Sequence, residues 1–334
     1  MKVPLLVGLA LLLGAGFPSQ TLRAQATGSS GKAQETRVPV AEGSLYARTI
    51  GRGRPTIVLH GGPDFDHAYL LPDLDRLADV LRLTYYDQRG RGRSADNVQP
   101  QRVSLSSDVE DIETVRRHFG LGAPVILGHS WGTVLALEYA IRHPAHASHL
   151  VLMNPAPASA QDFVLMRKAY VHDIGAQMDR QREIIASDAY KQADPETVAA
   201  RYRIHFAHAL KRHDDYERLM TIMRAQFVSQ GSEGIIKARA VEDQLMQQTW
   251  QDAAYDLLPK LSTVTVPTLV IAGDHDFIPV EIAEHIAHAL PNAKLVTLKD
   301  CGHFAYLECP EAVHRVVEDF LRSANDGERS SGHR

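Results

Sequence analysis

A serine flanked by glycines is the first residue in the chain with an evident chemical use. Ser130 lies at the centre of Gly-His-Ser-Trp-Gly, residues 128–132, after a short apolar run and before an amphipathic stretch. Glycines on both sides of a serine permit a sharp turn from strand to helix that lifts the hydroxyl above a sheet. The pattern predicts that Ser130 is a nucleophile.

A serine hydroxyl reacts only when a base removes its proton, and a carboxylate must orient that base. With a nucleophile of this kind, the chain order is serine, acid, histidine, each on a loop after a strand. His303 follows the apolar run 294–298 and is the predicted base.

Two aspartates compete for the role of the acid. Asp274 and Asp276 both follow the apolar run 268–271, and we favour Asp276, three residues before Pro279. Another position for the acid, after the run 150–153, holds Asn154. An amide cannot stabilise an imidazolium as a carboxylate does.

Backbone amides must also stabilise the oxyanion that forms when the serine attacks a carbonyl. The amide of Trp131 directly follows the nucleophile, and the segment 60–63, His-Gly-Gly-Pro, follows the apolar run 56–59. Because Pro63 has no N–H, we predict Gly62 as the second donor and assign His60 a structural hydrogen bond.

Strand-like runs alternate with helical patterns along most of the chain. An opening pair of strands spans 38–50, and further apolar runs lie at 56–59, 83–86, 124–127, 150–153, 268–271 and 294–298. This order predicts a mostly parallel, eight-stranded α/β sheet covered by helices on both faces.

The interval 155–267 contains no strand-like run, whereas ordinary connections in such a fold take about 2 to 6 residues. Helical stripes within it predict a helical cap, residues 156–255, inserted after strand 6. The core is then 36–155 and 256–323, and the polar residues 324–334 are expected to be a disordered tail.

The composition limits the possible partners. Lys and Arg number 36 against 40 Asp and Glu, a net charge of −4, so no basic excess favours nucleic acid or an anionic membrane. Two histidine pairs with helical spacing, His205 with His208 and His285 with His288, lack a third ligand at motif spacing. We expect no metal and no organic cofactor.

The first residues have the order of a secretory signal. Lys2 precedes an apolar run at 3–17, and small residues follow at Ala24 and Ala26. We expect cleavage after Ala26, a linker at 27–35, a secreted or periplasmic location, and membrane contact only during export. Cys301 and Cys309 could form a disulfide there, but separate thiols are favoured because no disulfide framework is recognisable.

Three segments resemble the proline iminopeptidase family of serine aminopeptidases, within the α/β-hydrolase superfamily. They are residues 60–63, the Asp-Gln-Arg-Gly-Arg-Gly-Arg-Ser segment 87–94, and residues 128–132, and the superfamily resemblance extends over about 36–321. The resemblance implies a cofactor-free enzyme that releases the N-terminal residue of a small peptide through an acyl-enzyme.

An aminopeptidase must neutralise the free ammonium of its substrate, and the resemblance implies glutamates in or near the cap. The candidates are Glu217, Glu233 and Glu242, with Asp64 beside the oxyanion loop as a fourth. A carboxylesterase or lactonase with the same triad is the alternative. A carbon–carbon bond hydrolase and a non-catalytic binding protein of this fold remain less favoured.

Overall fold

The computed structural model describes residues 32–41 and 43–331. The predicted signal segment and its cleavage site lie outside these residues. Within them no helix combines the length and apolar composition that crossing a bilayer requires.

The described residues form one eight-stranded sheet, in the order β1-β2-β4-β3-β5-β6-β7-β8. Strand β2 pairs antiparallel with β1 and with β4, and the other neighbours are parallel. The strands are β1 Gln34–Val40, β2 Gly43–Ile50, β3 Arg54–Leu59, β4 Leu81–Tyr86, β5 Val125–His129, β6 His149–Met153, β7 Thr268–Gly273 and β8 Ala293–Leu298.

Ten α-helices accompany the strands in the described part of the chain, with short 3-10 helices between them. They are α1 Leu105–His118, α2 Trp131–Arg142, α3 Ala160–Ile174, α4 Met178–Ala186, α5 Asp188–Lys191, α6 Pro195–His205, α7 His213–Gln248, α8 Val280–Ala289, α9 Ala305–Glu308 and α10 Pro310–Ser331.

The central strands explain why the apolar runs were recognisable. Every residue of β5, β6 and β7 is buried, as expected for parallel strands covered on both faces. Helix α2 is buried from Trp131 to Ala140 because it follows the nucleophile turn into the core. The predicted α/β fold and its eight-stranded sheet are confirmed.

Helices α3 to α7 form the cap between β6 and β7. The cap begins and ends side by side, where Ser159 pairs with Asp256 in an isolated bridge. The amide of Ala160 donates to the carbonyl of Tyr255 at 2.9 Å, and that of Leu257 to Ala158 at 2.9 Å.

The expected tail is helical over most of its length, because α10 continues to Ser331. Val313, Val317 and Phe320 bury one face of this helix in the core. The expectation of a disordered segment 324–334 was therefore wrong through Ser331, and residues 332–334 lie outside the described residues.

The preference for separate thiols was also wrong, because Cys301 and Cys309 form a disulfide. The short helix α9 turns the chain between them, which brings their Cα atoms to 6.2 Å. That separation lies in the range of disulfides, about 4.4 to 6.8 Å. The bond closes a loop that contains His303.

Candidate active site

A cavity of about 380 Å³ lies between the cap and the core. This volume is within the usual range for small-molecule sites, about 300 to 1,000 Å³. Its wall contains the predicted nucleophile, base and oxyanion donors together with two of the four acidic candidates: Gly62, Asp64, Ser130, Trp131, Glu242 and His303.

Ser130 occupies the strained turn that its flanking glycines predict. Its backbone has φ 52° and ψ −121°, a conformation that non-glycine residues rarely adopt. A β-carbon on Gly132 would lie 2.1 Å from the carbonyl oxygen of Leu59, and one on Gly128 would lie 2.5 Å from that of Gly132. Both glycines are therefore required by close backbone contacts.

Asp276 holds His303. The Nδ1 atom of His303 lies 3.0 Å and 2.9 Å from the two carboxylate oxygens of Asp276, and both side chains are 3% exposed. A carboxylate only accepts hydrogen bonds, so Nδ1 carries the proton and Nε2 is left to act as a base. Asp274 instead bonds to the exposed His275 at 2.9 Å.

The geometry of the oxyanion loop leaves Gly62 and Trp131 as the candidate donors. The amide of Gly61 already donates to the Tyr69 hydroxyl at 2.6 Å. Gly62 has φ 56°, and Phe65 packs so closely that a β-carbon on Gly62 would lie 2.3 Å from its ring. Gly62 and Trp131 both line the cavity beside Ser130.

His60 is a structural residue of this loop. Its Nε2 accepts from the amide of Gln88 at 3.0 Å, and its Nδ1 donates to the carbonyl of Gly61 at 3.0 Å. Complete burial, reinforced by the charge of Arg91, lowers the pKa of His60 to about 3. His60 is therefore neutral and fixes the loop instead of transferring protons.

Asn154 contacts the triad, which the sequence did not reveal. Its Nδ2 donates to Asp276 at 2.9 Å and to the carbonyl of Gly302 at 3.0 Å. The residue is 1% exposed and has φ 48°. Its place after β6, at the other position for the acid, is the sequence signal that marks it.

A second overlooked group, His129, joins the oxyanion loop to the base. The Tyr69 hydroxyl donates to Nδ1 of His129 at 2.7 Å, and Nε2 of His129 donates to the carbonyl of His303 at 2.9 Å. Burial holds the pKa of His129 well below its usual value. The neutral ring therefore has one fixed pattern of donor and acceptor.

Two of the four acidic candidates reach the cavity. Asp64 is buried and accepts from the hydroxyl of Tyr202, and burial raises its pKa. Glu242, on α7, is half-buried. Its burial, followed by the charge of Asp64, raises the pKa of Glu242 to about 8, although Arg201 opposes this shift.

The structure does not support the other two. Glu217 pairs with Arg203 at 2.5 Å with 43% of its side chain exposed, and Glu233 pairs with Lys237 at 3.0 Å with 85% exposed. Neither lines the cavity. The resemblance implied glutamates in or near the cap, but no motif showed on which face of the cap each one lies.

Clusters of potential metal ligands in the described residues lie away from the cavity wall. They are Asp66 with His67 and Asp87, Glu113 with His143 and His146, and Asp274 with His275 and Asp300. In the first of them, His67 and Asp87 form an ion pair at 2.5 Å. His205, one of the histidines with helical spacing, lines the cavity and forms a hydrogen bond with the Tyr170 hydroxyl at 3.0 Å.

Replacing Ser130 by alanine should lower kcat about 10⁴- to 10⁶-fold on any substrate that the wild-type protein hydrolyses. The mutation removes the nucleophile while the fold, measured by thermal unfolding, should be retained. Ser262→Ala removes a surface hydroxyl and is the matched control. A Ser130 variant that retains a tenth of the wild-type rate would rule out the assignment.

Replacing Asn154 by alanine should lower kcat about tenfold, because Asp276 loses a hydrogen bond to its charged form. Asn154→Asp should lose more activity at pH 6 than at pH 8, since adjacent carboxylates retain a proton to higher pH. Steady-state rates across this range test both. Equal loss at every pH in Asn154→Asp would contradict the positioning role.

Known proteins share this architecture. A model of the α/β-hydrolase fold family matches residues 55–310. Proline iminopeptidases from Heyndrickxia coagulans and Saccharolobus solfataricus are each 27% identical, over 285 and 288 residues, covering 82% and 83% of this chain and 92% and 87% of theirs.

A solved structure extends the likeness to three dimensions. The crystal structure of proline iminopeptidase from Mycobacterium smegmatis aligns with a TM-score of 0.64 at 23% identity, covering 88% of this chain and 100% of that one. With the family model covering most of the chain, we conclude that this protein belongs to the α/β-hydrolase family, is a hydrolase, and resembles proline iminopeptidases.

Proposed function

We propose that this hydrolase is an exported serine aminopeptidase that releases the N-terminal residue, proline above all, from small peptides. The observation that carries the proposal is the pair of carboxylates, Asp64 and Glu242, in the cavity that contains Ser130. The similarity to proline iminopeptidases supports the same substrate class.

The position of the carboxylates fits the chemistry of an exopeptidase. In an N-terminal residue the ammonium nitrogen and the scissile carbonyl carbon are separated by two bonds, of about 1.46 Å and 1.52 Å. A group that binds the ammonium must therefore lie close to the oxyanion site. Asp64 follows the proposed donor Gly62 by two residues and lines the same cavity.

The proposed reaction proceeds through an acyl-enzyme. Ser130 attacks the carbonyl carbon while Nε2 of His303 accepts the hydroxyl proton, and Asp276 stabilises the imidazolium. The amides of Gly62 and Trp131 stabilise the oxyanion. His303 then gives the proton to the departing amine, and a water molecule activated by His303 hydrolyses the ester to release the N-terminal residue.

The cavity wall also suits a small apolar N-terminal side chain. Phe277 packs against His303 with ring centroids 4.7 Å apart, and Phe206 packs against Phe304 at 5.2 Å. These rings surround the base with apolar surface and line the cavity. A pyrrolidine ring bound there would exchange water for aromatic contacts.

At pH 8, where Glu242 is about half ionised, Asp64→Asn and Glu242→Gln should each lower kcat/KM on a proline or alanine arylamide at least about tenfold, since each removes a carboxylate that is proposed to bind the ammonium. Glu217→Gln and Glu233→Gln, which remove the same charge on the surface, are the controls. The Asp64 and Glu242 variants should hydrolyse a short acyl ester with a blocked amine with the wild-type kcat.

The pH dependence of kcat/KM on the arylamide tests the role of Glu242 further. With a pKa of about 8, Glu242 is mostly protonated at pH 7 and becomes a carboxylate as pH rises, while a free α-amine loses its proton with a pKa of about 7.7 to 8.0. Ammonium binding should therefore rise from pH 7 to a maximum near about pH 8 and then fall. Glu242→Gln should lose this rise. Equal wild-type activity on free and N-blocked substrates would instead favour the esterase alternative.

Export is the second part of the proposal, and it rests on the N-terminal pattern together with the disulfide, a bond that persists in oxidising compartments. The secreted protein should begin at Thr27, and its intact mass should lack residues 1–26. Replacing Ala24 and Ala26 with bulky residues should block processing. A secreted protein whose mass includes Met1 would contradict cleavage.

A further inference from the structure

The cavity that contains the two carboxylates also contains two arginines, Arg167 and Arg201. Arg201 lies near the carboxylate of Asp64. Its guanidinium lies over the ring of Tyr202 at 4.3 Å, and the hydroxyl of that ring donates to Asp64. The charge of Arg201 therefore balances an acid that is already present.

Arg167 has no comparable partner among the described residues. It lies on α3 with an exposed side chain and lines the cavity. Other cap arginines form ion pairs with carboxylates within 4 Å: Arg180, Arg182, Arg203, Arg212, Arg218 and Arg224. Arg167 is thus a cation at the cavity wall whose counter-ion the described residues do not supply.

Aromatic contacts connect the part of α3 that carries Arg167 to the residues around the proposed triad. One turn before it on α3, Phe163 stacks on Trp250 at 4.8 Å, and Trp250 contacts Trp131 at 5.3 Å.

Three residues after Arg167, Tyr170 contacts Phe277 at 6.2 Å, and Phe277 contacts His303 at 4.7 Å. The face of α3 that carries Phe163, Arg167 and Tyr170 is therefore connected to both ends of the proposed triad. Trp250 links it to Trp131, and Phe277 links it to His303. Arg167 and His303, the proposed proton donor to the leaving amine, line the same cavity.

We propose that Arg167 binds the C-terminal carboxylate of the substrate, so that the enzyme acts on short peptides with both termini free. The inference rests on the proposed aminopeptidase function and specifies its substrate class. Asp64 and Glu242 bind the ammonium, and Arg167 binds the opposite charge on the leaving-group side. The planar guanidinium matches a carboxylate with two parallel hydrogen bonds.

The length of the substrate follows from the same geometry. An extended peptide advances about 3.3 to 3.6 Å per residue, so each added residue moves the carboxylate that far from the scissile bond. Arg167 can bind it only at a short, defined length. Di- and tripeptides fit this requirement, whereas the N-terminus of a long chain carries no carboxylate near the site.

The test uses the mature enzyme and peptides that begin with the residue whose arylamide is hydrolysed fastest. Di-, tri- and tetrapeptides are prepared as free acids and as C-terminal amides, and kcat/KM is measured for each. The free acid should be preferred over its amide by at least about tenfold at one length. Arg167→Gln should reduce that preference to below about threefold.

Two further variants separate this role from a general charge effect. Arg167→Lys retains a cation and should keep most of the preference. Lys168→Gln removes the same charge from the next residue of α3, which does not line the cavity, and should leave the preference at the wild-type value.

The inference fails if the wild-type enzyme does not distinguish acid from amide at any length, or if Arg167→Gln and Lys168→Gln lower the preference equally. The arylamide, which has no carboxylate, tests the proposed function separately. Hydrolysis of the arylamide without any acid preference overturns only the role of Arg167, whereas no cleavage of a free-amine substrate overturns the aminopeptidase proposal itself.

Discussion

The site depends on one close backbone approach, between the loop after β3 and the turn at Ser130. A β-carbon on Gly61 would lie 2.8 Å from Cβ of Ser130, and one on Gly132 would lie 2.1 Å from the carbonyl of Leu59. Such spacing excludes side chains at both glycines. Because the two segments touch, the candidate oxyanion donors and Ser130 lie side by side in the wall of one cavity.

Buried charged and polar side chains stabilise the loop 60–63 that carries the candidate oxyanion donor. Arg91 and Asp108 form a fully buried ion pair at 2.6 Å, and Asp87 accepts from the amides of His67 and Arg93. The backbone amide of Gln88 donates to Nε2 of His60, and its side-chain amide donates to the carbonyl of His60. Removing one member of a buried pair costs about 3 to 5 kcal/mol, so the segment 87–94 stabilises the loop, and none of its residues lines the cavity.

The sequence predicted those parts of the site whose positions follow from topology. Ser130, Asp276 and His303 each follow a parallel strand, and the carboxyl ends of such strands meet at one edge of the sheet. The same rule places Asn154 after β6 and His129 at the end of β5, but it does not reveal their hydrogen bonds, which join residues 122 and 174 positions apart. The acidic candidates on the cap could not be ranked, because Glu233 and Glu242 lie on the same helix and only packing decides which one faces the cavity.

The place where the cap joins the core affects how this fold can change over evolutionary time. The chain pairs with itself at Ser159 and Asp256, where the cap begins and ends. About 100 residues are therefore inserted between two neighbouring points of the core. An insertion whose ends already touch can lengthen, shorten or be exchanged without altering strand order. In this chain the proposed catalytic residues Ser130, Asp276 and His303 all lie outside that insertion, whereas Glu242 and Arg167 lie inside it. The proposed triad is thus encoded in the core alone, whereas the proposed substrate contacts are divided between the core, which contributes Asp64, and the insertion. A change in the insertion can therefore alter part of the substrate site while the triad stays in place.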